Sequence, residues 1–180
     1  AIIDTKKLEI TRVLHAGPIS KYVKASPDGK WMAVSHWGDN TLALFDISSP
    51  DPRQFKAVSH LTIDLRPDLT DVTEDRDAQC GLCLRGMAYS KDSRYLFLAR
   101  MGGPGGLALI DLKADEGPRY LGSVYGMKPK PRDVQTSHDG QWLYLSATKS
   151  GFISRIRIDH LVSEFLRLKP VAPPQLAEKK

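Results

Sequence analysis

Ser26-Pro-Asp-Gly-Lys-Trp-Met-Ala-Val34 decides the fold, because the chain repeats it as Ser90-Lys-Asp-Ser-Arg-Tyr-Leu-Phe-Leu98 and again as Ser137-His-Asp-Gly-Gln-Trp-Leu-Tyr-Leu145. The third position is always Asp (Asp28, Asp92, Asp139) and the sixth always aromatic (Trp31, Tyr95, Trp142). The seventh and ninth are large and apolar: Met32 and Val34, Leu96 and Leu98, Leu143 and Leu145. A turn rich in Asp and Gly between two apolar runs reads as a β-hairpin. The intervening Ala33, Phe97 and Tyr144 make both faces of the second strand apolar, and a strand buried on both faces belongs inside a stack of sheets. Each copy leads into an alternating apolar segment that closes on Asp46, Asp111 or Asp159. Periods of about 40–50 residues with several strands each describe a β-propeller. The interval from Ser90 to Ser137 is of that size, and the interval from Ser26 to Ser90 carries an insertion.

The expected fold is therefore all-β: about three and a half four-stranded antiparallel blades of a larger or oligomer-completed ring. The first full unit (18–65) should have strands A to D near 20–25, 30–36, 41–47 and 55–65. The second (83–126) should have them near 84–89, 94–100, 106–112 and 119–125. The third (130–168) should have A, B and C near 132–136, 141–148 and 152–158. Its last element is either a D strand at 163–168 or a short helix at 159–168. Residues 1–17 form a partial blade, and the Pro- and Lys-rich residues 169–180 read as a linker or disordered tail.

The pattern resembles the YVTN-type β-propeller repeat of bacterial surface and periplasmic proteins. In that family a Ser-Pro-Asp-Gly turn leads into an apolar strand, and a Val-Ile-Asp-Thr strand follows. Ala1-Ile-Ile-Asp-Thr5 looks like that later strand from a preceding blade, with residues 9–17 as its outer strand. This chain departs from the pattern at Lys91 and His138, which replace Pro, at Ser93, which replaces Gly, and in the insertion after Leu65. The resemblance implies a propeller outside the cytoplasm, periplasmic or extracellular, that binds or scaffolds. Its missing blades would be supplied by the same protein or by other copies. The alternative is a propeller enzyme or electron-transfer domain, because related propellers look like lactonases, quinone-dependent dehydrogenases and haem-bearing reductases.

Composition narrows the partners. The 180 residues carry 26 Lys and Arg against 21 Asp and Glu, a net charge of +5. That mild excess, with no basic helix and no RNA-binding signature, gives no support for nucleic acid. No apolar run approaches the ~18 residues of a membrane span. The chain starts without Met, as expected where a leader is removed or lies upstream.

Cys80 and Cys83, the only cysteines, form a Cys-x-x-Cys. No His follows to support haem attachment, and no second pair completes a zinc site. A disulfide in an oxidising compartment or two inert thiols remain. The insertion, residues 66–82, holds Asp68, Asp71, Glu74, Asp75 and Asp77. It matches no EF-hand loop and reads better as a solvated acidic loop than as a calcium site. No metal site and no cofactor is indicated. Met101-Gly-Gly-Pro-Gly-Gly106 joins two strands and opens no helix, so it does not read as a phosphate loop.

The most suggestive constellation is basic. Lys21, Arg85 and Arg132 each stand five residues before the turn Ser, at the start of strand A. His36, Arg100 and Lys149 stand at the end of strand B. In a propeller these positions open on one mouth of the central channel. Cations there would focus the field on an anionic ligand, a small molecule or a protein, and Arg suits carboxylate or phosphate. The competing reading pairs each cation with a nearby acid such as Asp133. Trp37 would either stack on a ligand or pack between blades. Trp31 and Trp142 are expected in the core. No catalytic set is legible.

Overall fold

A computed structural model describes residues 1–64, 83–102 and 105–167. A hairpin of β1 (Ile2–Asp4) and β2 (Glu9–Arg12) comes first. Blade 1 follows as β3 (Ser20–Ala25), β4 (Trp31–His36), β5 (Thr41–Asp46) and β6 (Lys56–Thr62), paired in that order. Blade 2 is β7 (Leu84–Tyr89), β8 (Tyr95–Arg100), β9 (Gly106–Asp111) and β10 (Arg119–Tyr125). Blade 3 has β11 (Pro131–Thr136), β12 (Trp142–Ala147) and β13 (Phe152–Arg157), then helix α1 (Ile158–Arg167). All pairs are antiparallel. The acidic insertion and the 169–180 tail lie outside the described residues.

The repeated turn is built by its own side chains. Ser26 donates to Asp28 Oδ1 at 2.6 Å and accepts the Trp31 amide at 2.9 Å, and Asp28 Oδ1 accepts the Lys30 amide at 3.1 Å. Ser90 with Asp92 and Ser137 with Asp139 make the same three bonds. The fourth position needs a left-handed backbone, at φ 69° for Gly29 and 77° for Gly140. Ser93 adopts φ 58° there. Its hydroxyl accepts the Asp28 amide at 3.1 Å and so joins the turns of blades 1 and 2.

These bonds hold the turn carboxyls below their usual range. For Asp139 the Ser137 hydroxyl is the main cause. For Asp28 and Asp92 burial acts in the opposite direction but is outweighed by the Ser and amide hydrogen bonds. Arg157 lowers Asp159 to about 2. A carboxyl with a depressed folded pKa stabilises fully above its unfolded value and loses that contribution as pH falls through the folded one. The urea midpoint should therefore decline between about pH 5 and pH 2. A flat or rising midpoint over that range would contradict this account.

Alternation along the second strand builds the interfaces between blades. Ala33, Leu42 and Leu44 of blade 1 meet Leu84, Met87, Leu96 and Leu98 of blade 2. Phe97, Leu107 and Leu109 of blade 2 meet Val134, Leu143 and Leu145 of blade 3. The sixth-position aromatic faces the following blade: Tyr95 is buried against blade 3, and Trp31 packs half-buried against the core shared with blade 2. Trp142 is also half-buried, because no described blade follows; Arg155 and Arg157 cover its ring at 4.3 and 5.2 Å. The expectation of two core tryptophans is corrected to two partly covered ones.

Blade 3 has three strands among the described residues, and the helix is the alternative that forms. Ile158, Leu161 and Phe165 recur at helical spacing and bury into the core between blades 2 and 3. Asp159 accepts the His160 amide in the first turn, and Arg167 stands in the last, where each charge suits the helix dipole. Register corrects a second expectation. Trp31 faces Asp46 and Tyr95 faces Asp111, but Trp142 faces Arg157. Asp159 therefore lies in the helix and is not the equivalent of the other two acids.

Candidate functional site

The inner strands β3, β7 and β11 lie side by side, with β7 touching both others. Lys24 of β3 donates to Gln135 of β11 at 3.2 Å, so the three curve about a common axis. Each inner strand is irregular at the same place. Its register shifts between Ser20 and Tyr22, between Leu84 and Met87, and between Pro131 and Asp133. Lys21, Arg85 and Arg132 fall in these three bulges. A bulge takes a residue out of the strand's alternation and re-aims its side chain. The side chain then has no blade face to pack against, which suits a long cation.

Blade contacts fix the bulges against one another. Ser35 of blade 1 donates to the Arg85 carbonyl at 3.0 Å. Gly86 lies against blade 3: a Cβ there would strike Asp133 Oδ1 and come within 2.8 Å of the Asp133 Cα and 3.0 Å of the Arg132 carbonyl oxygen. Gly86→Ala should therefore push blades 2 and 3 apart at the bulge and destabilise by about 1–3 kcal/mol. An unchanged melting temperature would show that the strands tolerate the methyl.

Trp37 is the platform beneath two of the cations. It is 2% exposed and packs with Cys83 and Met101. The Arg85 guanidinium sits 4.0 Å from its ring centroid and the Lys21 ammonium 5.2 Å. Packing between blades is thus its observed role. Its buried Nε1 has no hydrogen-bond partner among the described residues. Lys21 and Arg132 are exposed, and neither makes an ion pair among those residues. Asp133 does not neutralise them; it accepts the Val134 amide and a Gln135 amide hydrogen. Tyr22 of blade 1 lies near Asp133 of blade 3, and burial followed by that negative charge raises its pKa.

Two expected mouth residues turn away. Even-numbered residues of β4 face the segment at 14–17, and His36 is fully buried against Gly17. Thr41 Oγ1 lies 2.8 Å from His36 Nδ1, 2.8 Å from His60 Nε2 and 2.6 Å from Asp39 Oδ1. One hydroxyl has one proton and two lone pairs. It donates to Asp39 and accepts from both imidazoles, which fixes each tautomer with its proton on the nitrogen facing Thr41. Burial chiefly lowers the His36 pKa and keeps the ring neutral.

Arg100 also faces the preceding blade. It is buried in an ion pair with Asp64 at 2.6 Å and lies 4.8 Å from the Tyr125 ring centroid. It cannot act as a mouth cation, because a buried guanidinium is held by the acid that compensates it. Lys149 lies exposed in the turn between β12 and β13. Cys83 is disulfide-bonded, while Cys80, the other cysteine, lies outside the described residues with the five acids of the insertion.

Sequence reasoning missed the Asp64–Arg100 pair, the Thr41 network and the bulges. The ion pair and the network join residues outside the repeat's offsets, and the bulges show only in the pairing register. No cluster of metal-ligating side chains occurs among the described residues, and no described helix is long and apolar enough to cross a membrane.

The blades and their converging inner strands define a partial β-propeller with a basic inner rim. No family model matches the chain, and no curated protein matches it. Solved structures do. A β-propeller domain from Myceliophteria thermophila is 16% identical over 87% of this chain and 46% of its own, with a TM-score of 0.63. Kuenenia stuttgartiensis hydrazine synthase is 15% identical over 83% of this chain and 36% of its own, at 0.59. The Pseudomonas aeruginosa periplasmic gluconolactonase is 14% identical over 77% of this chain and 35% of its own, at 0.58. The chain thus spans less than half the length of each of these three, and the likeness is one of fold.

Proposed function

We propose that this chain is part of an extracytoplasmic binding propeller of the YVTN type. Its basic rim holds an anionic ligand, namely the carboxylate or phosphate of a small molecule or of a protein partner. Further blades of the same protein, or other copies, complete the ring. One observation carries the reading: Lys21, Arg85 and Arg132 occupy equivalent bulges of three successive inner strands. Cations gathered at a concave mouth raise the local concentration of anions, and a guanidinium can engage two oxygens at once. The Cys83 disulfide supports an oxidising compartment.

Calorimetric titration with citrate and with inorganic phosphate tests the rim. Arg85→Gln/Arg132→Gln should weaken binding at least about tenfold at low salt, and the difference should shrink as salt screens the exposed charges. Equal binding by the variant and the parent chain would overturn the rim as a site. Thiol titration of protein prepared without reductant tests the compartment. Reactive thiols in the denatured, unreduced protein would remove the support that the disulfide gives to export.

A further inference from the structure

Residues 13–19 join β2 to β3 and lie against blade 1. Leu14 and Ala16 pack on Val34, Ala43 and Phe45. Gly17 lies so near the His36 ring that a Cβ on it would come within 2.7 Å of Nδ1 and Cε1. Among the described residues, 13–18 make no hydrogen bond between backbone groups; the tie to blade 1 is the Trp37 amide, which donates to the Ile19 carbonyl at 3.0 Å. A segment held by packing more than by backbone bonds opens at low cost.

His36 is the group that this segment seals from water, at 0% exposed. Its Nδ1 proton goes to Thr41, while its buried Nε2 has no hydrogen-bond partner among the described residues. In the neutral ring Nε2 leaves one lone pair unused. A second proton would place a charged donor there with no acceptor, and an unpaired buried charge costs far more than an unpaired neutral group. The surroundings do not offset it. Asp39 favours the cation, but its Oδ1 is engaged by the Thr41 amide and hydroxyl, and burial outweighs its charge. His60 of β6, its ring centroid 5.2 Å away, opposes the cation. Residues 13–19 bring His15 and no acid. From β3 comes a further cation, Lys21, next to Ser20, the register partner of His36.

We propose that His36 is an acid-sensitive latch: its protonation releases residues 13–19 from blade 1 and exposes the ring. The folded ring resists its proton, whereas the released ring takes it up near the ordinary value of about 6.5. The closed latch is therefore fully stable above about pH 6.5 and weakens as the pH falls below it. Nothing in the device depends on the basic rim's being a site.

The test uses the isotope-labelled 180-residue chain and hydrogen exchange at the Trp37 amide, whose bond to Ile19 breaks when the latch opens. Protection, corrected for intrinsic exchange, should fall at least about tenfold between about pH 7.5 and pH 5, toward the limit of about thirtyfold set by an open-state pKa near 6.5. It should also stay below that of the Leu98 amide in β8 throughout, because the opening is local. His36→Asn keeps a donor at the Nδ1 place without the titration, so the fall should vanish there. His15→Gln and His60→Gln should retain it. The proposal is overturned by a fall smaller than about tenfold, by equal protection of Trp37 and Leu98, by the same fall in His36→Asn, or by its loss in either other variant. Where His36→Asn does not fold, the ring-nitrogen shifts of the parent chain decide. They should show a neutral His36 with its proton on Nδ1 at about pH 6.5, and a ring already half cationic at that pH would overturn the latch.

Discussion

Asp64→Asn is expected to destabilise the protein by about 3 kcal/mol. Arg100 is 3% exposed, and its Nε and Nη1 have no hydrogen-bond partner among the described residues. Asp64, 2.6 Å from Nη2, is therefore the main compensation for a charge removed from water. The same carboxylate accepts from Tyr120 at 2.5 Å and from Tyr125 at 3.2 Å. Burial first, then that hydrogen bond, pushes the Tyr120 phenol upward. Asn keeps the size and tolerates the positive φ of 58° at this position, so the substitution isolates the charge. Removing one partner of a buried pair leaves the other uncompensated, whereas removing both can be nearly neutral. Asp64→Asn/Arg100→Leu should thus recover most of the loss in urea unfolding. A double variant no more stable than the single one would show that Arg100 contributes mainly by packing.

Trp37→Ala should cost about 3–5 kcal/mol, the range for truncating a buried aromatic. The ring is almost fully enclosed between the loops of blades 1 and 2, and its face supports Arg85 and Lys21. Trp37→Phe keeps an aromatic face and should lose less. Trp31→Ala should also cost less than Trp37→Ala, because Trp31 is only half-buried. Unfolding followed by circular dichroism avoids the fluorescence that each substitution removes. Trp37→Ala should also weaken anion binding at the rim, since two of the three cations lose the surface that positions them. A variant with a native melting temperature would mean that Cys83 and Met101 close over the space without loss.

Most of the strand plan was legible from the repeat. The expected strand at 20–25 matches β3, and 84–89 and 119–125 match β7 and β10. Those segments are bounded by turns whose hydrogen bonds lie within a few residues, so local chemistry locates them. Legibility stopped where partners are distant in the chain. His36 and Arg100 end their strands ten residues after the turn Ser and are both buried, whereas Lys149, twelve after its own, lies exposed in the turn beyond β12. Offset gives a place along the strand, while the adjoining blade decides whether water or an acid meets the side chain.

By itself the sequence determined the Ser-x-Asp turns, the two-faced apolar strands and hence the propeller architecture. It also placed Lys21, Arg85 and Arg132 at one level of successive inner strands. Tertiary structure alone decided that those three lie in bulges, that Trp37 lies beneath Lys21 and Arg85, and that Arg157 takes the place of a repeat acid. It also selected the helix over a fourth strand in blade 3. The reason is physical. A turn's hydrogen bonds are satisfied within its own few residues, but a bulge, a buried ion pair and an inter-blade face are settled by the blade that packs against them.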